Sequence, residues 1–127
     1  MITKANTIGI YVQDQDRALQ FYTDKLGFEK LQDQPMGDPM PPDARWVVVA
    51  PKGAETPIVL FTPPGMEGRI GGFSNIVWDT DDIQATYEDL KDKGVEFTQA
   101  PFQQAWGWWA QFKDPDDNEF GLHQSAH

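Results

Sequence analysis

The chain has 127 residues, no cysteine, and a formal charge of −10. Its length suits one domain with a sizeable core, and 39% apolar with 13% aromatic residues excludes a disordered chain. Without cysteine there are no disulfides, thiolate nucleophiles or thiolate metal sites, and the acidic surplus repels nucleic-acid phosphates and anionic lipid surfaces; it reads either as a means of solubility or as a preference for neutral or cationic ligands.

Thr7 to Val12 alternates and is β-branched, which predicts a strand. Asp14 or Asp16 then caps a helix by accepting from a free N–H of its first turn. Ala18, Leu19, Tyr22 and Leu26 share one face of that helix, and Gly27 takes the left-handed conformation that ends it. Phe28 to Gln32 reads as a short strand. Residues 33–44 hold four prolines and read as a loop. Arg45 to Ala50 and Pro57 to Thr62 are two further strands, joined by a turn at 51–56. Residues 63–72, with Pro63, Pro64, Gly65, Gly68, Gly71 and Gly72, read as a linker too short and too rich in glycine to hold an element.

The same order then returns. Phe73 to Trp78 is a strand, and Asp81 or Asp82 caps a helix with Ile83, Tyr87 and Leu90 on one side and Gly94 at its end. Val95 to Thr98 is a short strand. Trp106 to Lys113 and Glu119 to His123 form a hairpin around Asp114-Pro115-Asp116-Asp117-Asn118. Val12-Gln13-Asp14 at the first helix is echoed by Thr80-Asp81-Asp82 at the second, with Asp14 and Asp82 68 residues apart. One βαβββ unit used twice, over about residues 1–63 and 73–123, predicts a single α+β domain. Its two modules form a curved mixed sheet around a concave cavity, with the helices on the outer face.

What the cavity holds is the functional question. Of five tryptophans, Trp46, Trp78, Trp106, Trp108 and Trp109, three fall within Trp106-Gly107-Trp108-Trp109. In a strand Trp108, Ala110 and Phe112 face one way, and Trp109, Gln111 and Lys113 the other. Trp108 and Trp109 therefore cannot both enter one core layer; one of them is exposed, at an interface or in the pocket. Gly107 before them allows the close approach of something flat. Aromatic walls stack planar or cationic ligands. The period of two and the module order place Thr7, Tyr11, Thr62, Asn75, Asp79, Gln111, Glu119 and His123 on the concave face. With Trp46, Leu60, Trp106, Trp108 and Trp109 these are the candidate ligand-binding residues. Met36, Met40 and Met66, on the long loop and the linker, are adaptable surface residues or a lid. His127 is expected to be disordered.

Tyr11-Val12-Gln13-Asp14, Ala18 to Tyr22, Leu26-Gly27-Phe28, and Phe112-Lys113-Asp114-Pro115-Asp116-Asp117-Asn118 together resemble the vicinal oxygen chelate superfamily. That is the glyoxalase, bleomycin-resistance and extradiol-dioxygenase group. The resemblance spans nearly the whole chain; Asp117 departs from it, standing where the hairpin usually has glycine. It implies paired βαβββ modules and a homodimer. In metal-dependent members it also implies four strand positions bearing His or Glu ligands, which fall here on Thr7, Leu60, Asn75 and Gly121. Leu60 and Gly121 offer no side-chain donor, and two neutral oxygens do not hold zinc, nickel or iron against water. A register slip of one residue brings no better set; a slip of two brings Asp79 and either Glu119 or His123.

The expectation is a metal-free, cofactor-free protein that sequesters an aromatic or cationic small molecule in a tryptophan-lined cavity, as antibiotic-sequestering relatives do. The alternative is a lyase, isomerase or dioxygenase of the same fold, with a displaced metal or a carboxylate base. No apolar run approaches the roughly 18 residues of a membrane span, and Met1-Ile2-Thr3-Lys4 lacks the apolar core of a signal peptide. These features predict a cytoplasmic protein with no membrane and no nucleic-acid partner.

Overall fold

Both helices begin on an aspartate used in the same way. In the computed structural model, which describes residues 1–126, Asp14 is extended (φ −130°) and its side chain accepts from the Arg17 N–H at 3.0 Å. Asp82 (φ −148°) accepts from the Ala85 N–H at 3.0 Å. Each carboxylate satisfies a donor that the first helical turn cannot satisfy itself.

The chain forms β1 (Ile8–Ile10), α1 (Gln15–Gln20), β2 (Glu29–Pro35), β3 (Arg45–Ala50), β4 (Ile58–Leu60), β5 (Gly72–Asp79), α2 (Ile83–Asp92), β6 (Phe97–Gln104), β7 (Gly107–Lys113) and β8 (Asn118–Ser125). These make two four-stranded mixed sheets, ordered β1-β4-β3-β2 and β5-β8-β7-β6. The first strand of each runs parallel to the last, and the remaining neighbours are antiparallel. Both halves thus repeat the βαβββ order predicted from the sequence echo, their sheets share one strand order, and the fold is α+β. Two compact units divide after Ile70.

In the first unit, Arg45 bonds Asp16 of α1 at 2.8 Å and Asp33 of β2 at 2.9 Å, so Arg45, Val47 and Val49 lie on the face that α1 covers. Both carboxylates raise the Arg45 pKa, Asp16 most. Register extends this face to Ile58, Leu60 and Ile10. Ile10, Val47, Val49, Ile58, Leu60, Ala18, Phe21 and Tyr22 are all buried. The helix does not run regularly to Leu26: after Gln20 it widens into a π-helical turn, Phe21–Lys25, closed by the Leu26 N–H on the Phe21 carbonyl at 3.2 Å. Leu19, expected inward, is only half-buried. Phe21 takes its place beside Tyr22, ring edge to ring face at 5.2 Å. Gly27 (φ 78°) ends the segment as predicted.

Several boundaries differ from the sequence reading. β2 runs on to Pro35, so the proline-rich loop begins at Met36. β2 is an outer strand with every residue exposed, where a terminal proline costs no ladder bond. The linker holds a 3₁₀ turn, Glu67–Arg69, and β5 starts at Gly72 within it. β6 extends to Gln104 through Pro101, also on an outer strand, with register shifts on either side of Gln99.

In the second unit Gln124 accepts from the Ile83 N–H at 2.6 Å, which marks the α2-covered face. Phe120, Leu122, Phe112 and Ala110 share that face by register and are buried with Ile83, Leu90 and Val95. The β7–β8 turn is tied by Asp114, which is 4% exposed. It accepts from the Asp116 and Asn118 N–H groups at 2.9 and 3.0 Å and from the Asn118 amide at 2.9 Å. Asp117 takes the left-handed conformation (φ 62°) at the position that usually holds glycine. His127 lies outside the described residues.

Candidate functional site

The face of the second sheet that α2 does not cover carries the chemistry. Strand alternation puts Asp79 on β5, His123, Gly121 and Glu119 on β8, and Trp109 and Gln111 on β7 on this one face. Asp79 stands beside His123 in parallel register, and Oδ1 of Asp79 lies 2.8 Å from Nδ1 of His123. Trp106, in the β6–β7 turn, stacks on the His123 ring with centroids 5.7 Å apart and planes 27° apart. It meets Trp109 edge to face at 6.0 Å. The Trp109 N–H donates to Oε1 of Gln111 at 3.0 Å, which fixes its indole along the strand. Asp79, His123, Trp106, Trp109 and Gln111 thus form one continuous patch.

Glycine makes this packing possible at two places. A Cβ at Gly121 would meet Cη2 of Trp109 at 2.2 Å, so the indole occupies the space a side chain there would need. Gly107 (φ 142°) lets β7 close on β8: a Cβ there would lie 2.3 Å from the Gln124 carbonyl. What approaches Gly107 is therefore the neighbouring backbone, not a flat ligand.

The other predicted residues are placed as follows. Glu119 is on the same face and accepts from the Thr98 hydroxyl. Trp108 alternates to the α2 side, opposite Gln124, and is half-buried, as is Trp109. Asn75 is exposed, with φ 64°, inside the register shift between Phe73 and Val77. In the first unit Thr7 and Tyr11 flank β1 and are half-buried, and Trp46 lies on the face away from α1. Leu60 does not face that way: paired with Ile10, it is fully buried beneath α1. The Thr62 hydroxyl accepts from the Val12 N–H at 2.8 Å and donates to the Val12 carbonyl at 2.7 Å, extending the β1–β4 pairing.

Three apolar members of the patch escaped the sequence reading. Phe73 and Val77 are exposed on β5 on the same face as Asp79. Phe102 lies across from Trp109 on the part of β6 beyond Thr98, where the sequence reading assigns no element. The parity of Phe73 and Val77 with Asp79 was a usable signal; that of Phe102 was hidden by the underestimated strand.

The model of the Glyoxalase/Bleomycin resistance protein/Dioxygenase superfamily matches residues 4–122, and the chain belongs to that superfamily. YetH of Bacillus subtilis (strain 168) is 45% identical over 98% of this chain and 100% of its own length. A superfamily member from Sphaerobacter thermophilus DSM 20745, whose crystal structure is known, is 38% identical with a TM-score of 0.87, covering 98% of each chain. TnmS3 from Streptomyces sp. CB03234, described as an antibiotic binding protein, is 38% identical with a TM-score of 0.82, again over 98% of each chain.

The superfamily's metal does not fit the four positions inferred for it. Leu60 is sealed in the core, Asn75 sits in an irregular left-handed bend, and the space above Gly121 is taken by the Trp109 indole. Among the described residues, no group of three or more His, Asp or Glu side chains could hold an ion. The Asp79–His123 pair gives two donors where such a site needs more. Among the described residues no helix is long and apolar enough to cross a membrane.

Proposed function

We propose that this protein binds and sequesters a planar aromatic compound, preferably cationic, without a metal, on the uncovered face of the second sheet. The observation that carries the reading is Trp109 lying over Gly121: an aromatic surface stands where a metal ligand would project. Trp106, stacked on His123, adds a second ring, Asp79 supplies negative charge beside it, and Glu119 lies farther along β8 on the same face. Rings of this kind attract flat, electron-poor and positively charged partners. The likeness to TnmS3 supports small-molecule binding. The protein works as a cytoplasmic homodimer, in which the exposed Phe73 and Val77 become pocket wall or interface.

Tryptophan fluorescence tests this directly. Titration with 9-aminoacridine, a planar cation, should give saturable quenching that is lost in Trp109→Ala. The planar anion anthraquinone-2-sulfonate should bind at least tenfold more weakly. Absence of saturable quenching by any planar compound overturns the reading.

One observation favours a second reading. An imidazole hydrogen-bonded to a carboxylate at 2.8 Å is an arrangement suited to moving a proton. On that reading His123 acts as a general base on a bound substrate, oriented by Asp79, in a lyase or isomerase. Turnover abolished by His123→Phe, with binding retained, would select it.

A further inference from the structure

We propose that the first unit carries a separate site for an organic ammonium ion, in a cleft beneath the proline-rich loop. The cleft has a volume of about 420 Å³, within the range of small-molecule pockets. Its rims come from two segments. One is the loop at Met36–Ala44, closed on itself by the Met36 N–H to the Ala44 carbonyl and the Ala44 N–H to the Pro41 carbonyl, both at 3.0 Å. The other is the stretch from Pro63 to Ile70, which turns through the Met66 N–H to the Pro63 carbonyl at 3.0 Å.

Its lining is complementary to one kind of molecule. Met40, Pro41, Phe61, Pro64 and Ile70 provide an apolar wall. Among the described residues, the charged side chains on the cleft are Asp43 and Glu67, one from each rim, and no basic side chain lines it. The Gln15 amide nitrogen is already committed to the Arg45 and Leu60 carbonyls at 2.7 and 2.8 Å, and the Thr62 hydroxyl to the Val12 backbone. With those donors engaged and Gln13 also partnered, the carboxylates of Asp43 and Glu67 add hydrogen-bond acceptors to the lining. Glu67 takes the Gly65 N–H at 3.0 Å, which holds its carboxylate in place with lone pairs to spare. A donor-rich cation on a hydrocarbon body meets both demands: ammonium protons for the carboxylates, and stem or ring for Met40, the prolines and Phe61. None of these residues belongs to the aromatic patch on the second sheet, so this site stands or falls independently of the proposed function.

The test is a titration of the full chain with cyclohexylammonium chloride, which has no aromatic ring to stack on the tryptophan patch, followed by amide NMR shifts, beside its uncharged counterpart cyclohexanol. We expect saturable shifts at Ala44, Gly65 and Glu67 and none at Gly107 or Gly121. The alcohol should bind at least fivefold more weakly. The double variant Asp43→Asn, Glu67→Gln should lose at least fivefold in affinity for the ammonium ion, while Trp109→Ala leaves it unchanged. Shifts confined to 107–123, equal binding of the alcohol, or undiminished binding by the double variant would overturn the proposal.

Discussion

Trp109 and Gly121 share one space: the indole of the first lies where the side chain of the second would begin, 2.2 Å from its ideal Cβ. Gly121→Ala therefore cannot be accommodated without moving the ring. Forced repacking of this kind costs about 1–3 kcal/mol, read by denaturant unfolding. The tryptophan emission should shift as Trp109 tilts from its bond to Gln111. An unchanged spectrum and unchanged stability would show that the ring does not rest on Gly121.

His123 separates stacking from proton chemistry. Asp79 has 86% of its side chain exposed, and a hydrogen bond so open to water contributes about 1 kcal/mol or less. His123→Phe should therefore leave stability nearly unchanged and keep the stack on Trp106. The near-ultraviolet circular dichroism of the tryptophans should survive in His123→Phe and weaken in His123→Ala. Loss of the signal in both would mean that the Asp79 bond, rather than ring contact, holds Trp106.

The two helix caps are a matched pair. Asp14→Ala and Asp82→Ala each remove an acceptor from an N–H at 3.0 Å, and each should cost about 1 kcal/mol of unfolding free energy. Asp16→Ala, beside the first cap, should leave the cap intact and lose only one of Arg45's two partners. If Asp16→Ala costs as much as Asp14→Ala, the cap is misassigned.

The turn between β7 and β8 should be the most sensitive of the exposed-looking segments. Asp114 accepts three hydrogen bonds within it while almost fully buried. Asp114→Ala leaves those donors without an acceptor and should cost about 2–3 kcal/mol. Asp117→Gly should be neutral or mildly stabilising, because it removes a side chain from a left-handed residue. The pair of variants, measured together by thermal unfolding, should move in opposite directions or leave Asp117→Gly near zero.

Much of this was legible in the chain because the signals were local. An aspartate before an apolar face and a glycine after it mark a helix whatever surrounds them, as Asp14, Gly27, Asp82 and Gly94 do. Strand parity likewise separated Trp108 from Trp109 correctly. Other features depended on pairing, which no local pattern carries. Leu60 was set on the wrong face because β4 takes its orientation from β1 and β3. The lengths of β2 and β6 come from the partners they extend along, despite prolines that argue for loops. The stack of Trp106 on His123 required a turn residue to fold back over a strand 17 positions on, beyond any periodicity.

The outer strand β2 has a consequence for handling the protein. It lies open along its full seven residues, with Leu31 half uncovered, and such borders are where chains zip together into fibrils. Glu29, Lys30 and Asp33 place charge along it, and Pro35 ends it without an N–H to offer. These act as gatekeepers. Neutralising them should make the protein precipitate more readily on concentration, with its native interior still intact.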